Sequence, residues 1–593
     1  MIGHEIIQVV LYFGLIIGLT PLLGVFMARV FQGERTFLSG VLGPVEKWIY
    51  RLGRVDEKAE MTWKEYLAAV LIFNLVGFLA TFIQLMAQGV LPLNPQRFAG
   101  LSWHLAFNTA MSFMTNTNWQ AYMGESTMSY LSQMAGLAVH NFLSAATAIA
   151  VLVAVIRGFQ RASAKTLGNF WVDLTRGTLY VLMPLSVIYA VVLMSQGVVQ
   201  TFKPYATVKL VEPYTAQVPK TDEKGSPVKD GKGNPVMVDQ KVETQDIPLG
   251  PAASQIAIKQ LGTNGGGFFG QNSAHPFENP TPLSSFIEML AILLLPASLV
   301  YTFGVMVGDR RHAWCLFGVM LLLLLVSFGV AWWSETRTNP VFGNVGALME
   351  GKETRCGVMN SVLWGVLCTA TSNGSVCSMH DSWTPLAGLM PMWNIQIGEV
   401  AFGGIGCGMY GILLHVLLTV FIAGLMIGRT PEYLGKKLDK WVASWSVAGL
   451  LVPSAVILLF AAISCVLPSA LASLNNGGPH GMSEILYAYS EAANNNGSAF
   501  AGLNANTVWY NTTLGTCMFI GRFIVIVAVL AIAGNLASKK IVEASTGTLP
   551  VSGLTFSFSL LGVIVIVASL TFFPVLCLGP IVEHGLMLAG RVF

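Results

Sequence analysis

Charge is what this chain has least of. Of its 593 residues, 33 are Lys or Arg and 30 are Asp or Glu, so 11% are charged against 54% hydrophobic. Soluble domains run near ~25% charged. A chain this long with so little charge cannot solvate its own surface, and a mean hydropathy of +0.63 makes the bilayer its natural solvent. The net charge of +3 is too weak to point to nucleic acid. Cysteine is scarce as well. Cys315, Cys356, Cys368, Cys377, Cys407, Cys465, Cys517 and Cys577 form no CxxC pair, which argues against a zinc or redox site. Cys356 and Cys377 fall on one outward connection and are able to pair; small buried thiols are the alternative. No His-Glu-x-x-His or serine–base set occurs, and His140, His380, His415 and His480 stand alone, which weighs against an intramembrane enzyme.

Long apolar runs are what the chain does have. A spanning helix needs about 20 apolar residues. Ten stretches qualify: 6–28, 67–90, 129–156, 177–198, 284–308, 313–333, 399–427, 445–467, 514–537 and 554–578. The first positive charge, Arg29, follows the first stretch, whereas a secretory signal carries its charge before it, so 6–28 is expected to be a retained helix. Lys and Arg cluster after the odd-numbered stretches and in the turn at Arg310 and Arg311, as in Arg157, Arg161, Lys165 and Arg176, or Lys436, Lys437 and Lys440. With ten alternating helices these clusters share one side, the cytoplasm, and both termini lie outside. The 199–250 connection falls on the outer side despite Lys220, Lys224, Lys229 and Lys232, which Asp222, Glu223, Asp230 and Asp239 largely offset. Its turn chemistry predicts a small external hairpin or mobile loop, peripheral to function.

Four outward connections share one pattern. Each holds 10–12 moderately apolar residues, too short to span, followed at once by a polar run. Trp103–Met114 precedes Thr115-Asn116-Thr117-Asn118, and Ala252–Leu261 precedes Thr263-Asn264-Gly265-Gly266-Gly267. Asn360–Ala370 precedes Thr371-Ser372-Asn373-Gly374-Ser375, and Ser483–Ala493 precedes Asn494-Asn495-Asn496-Gly497-Ser498. One such run is usually a turn; four at one topological position imply a repeat of helix, re-entrant helix, polar loop and helix about one axis. Dehydrating a monovalent cation takes a ring of neutral oxygens, and glycine lets backbone carbonyls turn inward. Short helices aimed at the cavity by their C-terminal ends favour cations. The polar runs contain no acidic residue, which fits a neutral potassium-type filter rather than an Asp/Glu ring.

The stretches SFMTNTNWQAY, LGTNGGGFF, NSAHPFENPT, MHDSWTPL, PMWNIQIGEVAFGG, IAGLMIGRTPEYLGKK and EAANNNGSAFAGL resemble the KdpA family over nearly the whole chain. KdpA is the potassium-binding subunit of the bacterial Kdp potassium-transporting ATPase, within a superfamily of potassium transporters with four pore-loop repeats. The resemblance implies an all-α polytopic membrane protein of the bacterial inner membrane that binds K+ from outside and passes it on. It implies K+ ligands at Asn116, Thr117 and Asn118; Thr263, Asn264 and Gly265; Ser372, Asn373 and Gly374; and Asn495, Asn496 and Gly497. Gln120 and Asn272 would lie at the filter mouth. The external segment 199–250 looks longer than is usual in the family. The implied partners are a KdpB-like P-type ATPase subunit that hydrolyses ATP and small KdpC-like and KdpF-like accessory subunits. Consistently, the chain has no Asp-Lys-Thr-Gly phosphorylation motif, and Gly435-Lys436-Lys437 lacks the pattern of a P-loop. No organic cofactor is expected.

These readings divide the chain into a first helix and cytoplasmic loop (1–66), four pore repeats (67–156; 177–308, with the insert 199–250; 313–427; 445–537) and a last helix (538–593). Two features below the filter are gate candidates. Arg522 lies about eight residues, roughly 12 Å, into the ninth stretch, where a charge is costly and usually functional; the alternative is a structural ion pair or a carbonyl contact. Gly403, Gly404, Gly406 and Gly408 crowd one segment of the seventh stretch, which predicts a broken helix and a gating loop, with close packing of small residues as the alternative. Glu288 and Glu399 are expected at outer helix starts, stabilising N-termini.

Overall fold

The apolar runs become helices because hydrocarbon leaves backbone groups no other partner than their own segment. In the computed structural model, which describes residues 2–219, 236–341, 343, 347–426, 428, 430–542 and 549–591, ten helices are long and apolar enough to cross a membrane. They are Glu5–Gln32, Trp63–Val90, Ser132–Gln160, Phe170–Ser195, Pro282–Val307, Arg310–Thr336, Cys407–Met426, Lys440–Ser464, Val508–Ser538 and Leu554–Leu588; we number them spans 1 to 10. Several start at a side-chain cap that satisfies orphan N–H groups: Thr62 with Glu65 in a capping box, Thr281 with Ser284, and Asp309, Asp439 and Thr507 alone.

Burial sorts the spans into an inner and an outer set. The most apolar windows of spans 3, 5, 7 and 9 are 56% to 83% buried, while those of spans 1, 2, 8 and 10 are 28% buried. Spans 1 and 10 attach at the periphery. Span 1 lies on span 5, where Tyr12 Oη donates to the Met289 carbonyl at 2.9 Å and Thr302 Oγ1 to the Gly24 carbonyl at 3.1 Å. A Cβ at Gly24 would stand 2.9 Å from the Ser298 carbonyl oxygen, so glycine sets how closely these two helices approach. Span 10 packs on spans 6 and 7, then passes through a π-helical turn at Cys577–Ile581 into its last turns, Val582–Leu588.

Four shorter helices fill the interior: Trp103–Met114, Ala252–Leu261, Gly357–Ala370 and Gly478–Asn494. We call them short helices 1 to 4. They follow spans 2, 4, 6 and 8, and each is almost wholly buried along its length. The 199–250 connection holds an antiparallel pair, Ala206–Pro219 with Met237–Ile247, whose residues are mostly exposed. Its Gly-Ser-Pro, Asp-Gly and Gly-Asn-Pro turns, with Lys220, Lys224, Lys229 and Lys232, lie outside the described residues.

Three expectations about helix limits give way. Span 7 starts at Cys407, so only Gly408 of the four candidate gate glycines is helical, and 399–406 is irregular loop. A separate helix, Pro385–Gln396, precedes that loop. Positive φ at Gly398, Glu399, Phe402, Gly403 and Gly406 is what keeps the two helices from joining. Arg522 stands midway along span 9, because that helix already begins at Val508 where the Thr507 side chain caps it. Glu288 lies inside span 5 and Glu399 in the irregular loop; neither caps a helix N-terminus.

Candidate functional site

The four short helices end at Met114, Leu261, Ala370 and Asn494, and each runs directly into its polar loop. There the backbone does the same thing four times. Asn116, Thr263, Ser372 and Asn495 all take positive φ, between 45° and 67°. The next N–H then turns back to the helix: Thr117 to the Ser112 carbonyl, Asn264 to Lys259, Asn373 to Cys368 and Asn496 to Glu491, each at 2.9 Å. A left-handed non-glycine residue costs about 1–2 kcal/mol. Four such residues in equivalent places persist only because the surrounding packing over-determines them.

The loops meet in a closed ring. A Cβ on Gly265 would stand 1.9 Å from Gly374 N, one on Gly374 2.5 Å from Gly497 C, and one on Gly497 1.7 Å from the Thr117 carbonyl oxygen. Loop two thus touches three, three touches four, and four touches one. At the remaining junction a Cβ on Gly266 would stand 2.7 Å from the Asn118 carbonyl oxygen, and side chains reinforce it: Asn264 Nδ2 donates to Asn116 Oδ1 and, at 3.2 Å, to Ser144 Oγ. Gln120 donates to the Gly267 carbonyl at 2.9 Å and accepts from its N–H at 3.0 Å.

Most side chains of the predicted triplets brace the ring from behind. Asn118 Nδ2 donates to Asn141 Oδ1 at 2.5 Å, and Ser372 Oγ to the Asn495 carbonyl at 2.8 Å. Asn373 Nδ2 reaches Gln260 Oε1 at 3.0 Å, and Asn495 Nδ2 reaches Thr117 Oγ1 at 3.0 Å. Asn496 Nδ2 donates to Glu399 Oε1 at 2.7 Å. All twelve predicted ring residues therefore come together. Gln120 and Asn272, with Asn118, Gly266, Gly374 and Gly497, line a vestibule of about 400 Å³ over one face of the ring.

On the other face lies a cavity of about 90 Å³, lined by Glu399, Cys407, Gly408, Asn494, Asn495 and Arg522. Arg522 is buried, its Nη2 has no hydrogen-bond partner, and no described carboxylate lies within ion-pair distance of it. Among the described residues it makes no contact ion pair; Cys407 and Glu399, which line the same cavity, are groups that bear on its charge. The 399–406 loop presses against the ring from this face: Gly403 N donates to the Ala370 carbonyl at 3.0 Å and Ile405 N to Thr263 Oγ1 at 2.8 Å. A Cβ on Gly404 would stand 2.8 Å from Ser372 Cβ, and one on Gly406 2.4 Å from the Ala148 carbonyl oxygen.

Sequence reasoning missed the acidic residues behind the ring. Glu491 Oε2 accepts from Gly497 N at 3.1 Å, and Glu288 Oε2 accepts from Gln260 Nε2 at 2.8 Å. Lys259 donates to the Gly266 carbonyl at 3.1 Å and pairs with Glu278, both side chains fully buried. Lys259, Glu288 and Glu491 signalled themselves as charges inside helices, each of which demands a buried partner, whereas Glu278 lies in the turn that follows loop two. His480 does not stand alone either. Its Nε2 is 2.8 Å from Asp381 Oδ1 and its Nδ1 2.7 Å from Glu583 Oε1. Burial would lower its pKa, but the bonds to the two carboxylates prevail and raise it to about 10. Cys356 and Cys377 are free thiols, with their Sγ atoms 3.6 Å apart.

Chemically, the ring offers neutral oxygens at the C-terminal ends of four short helices, whose partial negative charges converge there. No acidic side chain is part of it. The family model described as the potassium-transporting ATPase A subunit, KdpA, matches residues 10–585. A potassium-transporting ATPase potassium-binding subunit from Geobacter sulfurreducens is 56% identical over 584 residues, covering 98% of this chain and 99% of the relative. One from Methylococcus capsulatus is 53% identical over 596 residues, covering 100% of both. Among solved structures, the potassium transporter TrkH from Vibrio parahaemolyticus aligns with a TM-score of 0.49 at 14% identity, covering 89% of this chain and 98% of that one.

Proposed function

The chain belongs to the KdpA family, and from that premise we propose that it is the potassium-binding and translocating subunit of an ATP-driven uptake complex. The observation that carries this reading is the ring: four polar loops with the same backbone turn, closed on one another, without a carboxylate in it. Such a ring replaces the hydration shell of a monovalent cation with fixed neutral oxygens. In this reading Asn116, Thr117 and Asn118, Thr263, Asn264 and Gly265, Ser372, Asn373 and Gly374, and Asn495, Asn496 and Gly497 form the filter, mainly through backbone oxygens. Their amide side chains hold the loops in place. Gln120 and Asn272 shape the mouth. The repeats are spans 2 and 3, 4 and 5, 6 and 7, and 8 and 9, each pair with its short helix between. Both termini and the vestibule face outward, in the bacterial inner membrane.

Arg522 and the 399–406 loop are the gate on the opposite face. An unpaired buried guanidinium beside the cavity opposes a cation leaving the ring, and the loop narrows the same exit. ATP hydrolysis belongs to a KdpB-like P-type partner, with KdpC-like and KdpF-like accessory subunits. The test is ATPase activity of this chain purified with the ATPase subunit encoded beside it, against K+, Rb+ and Na+. Stimulation by K+ that needs both chains supports the reading. Potassium flux through the chain alone in liposomes, with no partner-dependent ATPase, would replace it with an independent channel. Arg522→Ala should leave ion preference intact and raise leak; unaltered leak and coupling would remove the arginine from the gate.

A further inference from the structure

Away from the ring, three segments distant in sequence bring carboxylates around one imidazole. Asp381 lies just beyond loop three, in the turn His380–Ser382. His480 and Glu484 lie one helical turn apart near the start of short helix 4, and Glu583 lies in the last turns of span 10. One ligand atom each from Asp381, His480 and Glu484 falls within 4.8 Å of the others.

We propose that Asp381, His480 and Glu484 form a binding site for a divalent transition-metal ion of the zinc class, with Glu583 orienting the imidazole. Four observations support it. First, Glu583 holds Nδ1 at 2.7 Å while Nε2 points to Asp381, the carboxylate–histidine arrangement that fixes a metal-ligating ring. Second, Glu484 is fully buried; Asn476 Nδ2 binds its Oε1 at 2.8 Å, but its Oε2 has no hydrogen-bond partner. A buried polar atom left unmatched is costly, and a cation satisfies it. Third, the space is kept open by glycine: a Cβ on Gly502 would stand 2.4 Å from Glu484 Oε1 and 2.5 Å from Asp381 Oδ1. Fourth, Asp381, His480 and Glu583 line a cavity of about 320 Å³, which supplies an entry path.

The donors are one nitrogen and carboxylate oxygens, a set that suits zinc, cobalt or manganese and leaves out soft copper(I). Metal–ligand bonds of about 2.0–2.2 Å set tetrahedral ligand atoms about 3.4 Å apart, so His480 Nε2 and Asp381 Oδ1, now 2.8 Å apart, open slightly to admit the ion. Uptake releases the proton that Nε2 donates to Asp381; one divalent ion in and one proton out adds one positive charge, which the surrounding carboxylates of Asp381, Glu484 and Glu583 offset. The bound ion would clamp short helix 4, the segment after loop three and the end of span 10 to one another, outside the transport path.

The experiment uses the full purified chain, stripped with a chelator and equilibrated with zinc chloride. Bound zinc is counted by plasma mass spectrometry after gel filtration. We expect one zinc per wild-type chain, lost in His480→Ala, Glu484→Gln and Gly502→Ala, and weakened about 10- to 100-fold in Glu583→Gln. Anomalous scattering at the zinc edge from wild-type crystals should place the ion on His480 Nε2, a readout independent of whether a variant folds. Absence of stoichiometric zinc on the wild type, a peak elsewhere, or zinc retained by variants that elute like the wild type would overturn the proposal.

Discussion

Where loops two, three and four meet their neighbours, the glycine at the third triplet position touches backbone; where loop one meets loop two, that place is taken by Gly266 against the Asn118 carbonyl oxygen, and a larger set of side-chain bonds adds to the joining. At the third triplet position the other loops have Gly265, Gly374 and Gly497, but loop one has Asn118, with φ of 57° and its amide on Asn141. The glycine contacts leave no room for even a methyl group. The loop one to loop two junction adds to its Gly266 contact the bonds of Asn264 with Asn116 and of Gln120 with Gly267. Rigid contact and adjustable contact therefore share one ring. The difference says which substitutions should destroy the site and which should only soften it.

The largest effect belongs to Gly497→Ala. Its φ of 83° disfavours any side chain, and the new Cβ would collide with the Thr117 carbonyl oxygen. Potassium-stimulated ATPase of the complex should be abolished; near wild-type affinity in this variant would break the comparison outright. Next comes Asn264→Ala, which removes a buried donor shared by Asn116 Oδ1 and Ser144 Oγ and leaves them their bond to each other. A loss of about 1–3 kcal/mol is expected, read by thermal unfolding together with weakened potassium affinity. Gln120→Ala removes two bonds across a half-buried junction and a third to Tyr122 Oη. It should cost about 1 kcal/mol and raise the potassium concentration for half-maximal activity a few-fold. A defect as severe as that of Gly497→Ala would show that the side-chain bonds are no softer than the glycine contacts. The smallest effect is expected from replacing 206–247 with a short Gly-Ser linker. The strands are exposed, and the base of the hairpin is held separately by Tyr130 Oη on the Lys203 and Leu249 carbonyls, both at 2.8 Å. Stability should stay within about 0.5 kcal/mol and potassium dependence should not change.

The limits of legibility follow the range of the interactions involved. The ten spans and four short helices were readable because bilayer thickness and local apolarity act within one segment. Several boundaries shifted, two of them for equally local reasons that hydropathy does not capture. Thr507 caps span 9 nearly two turns before the apolar run begins, and positive φ from Gly398 to Gly406 delays span 7 to Cys407. The partners of Glu399, Glu491, Glu288 and His480 were not readable. Glu399 meets Asn496 and His480 meets Asp381 across about a hundred residues of chain, and no spacing rule operates over such distances.

By itself the sequence determined that the chain is a membrane protein, how many times its apolar helices can cross, and where four polar loops interrupt them. Each of these follows from the cost of placing charge and open backbone in hydrocarbon, which every segment meets alone. Only the tertiary structure decided that the four loops close into one ring, that glycine lets backbone meet backbone at its junctions while side chains bridge them, and that buried carboxylates hold it from behind. Those outcomes depend on contacts between segments far apart in the chain, and a buried polar group is satisfied only when the whole fold delivers its partner.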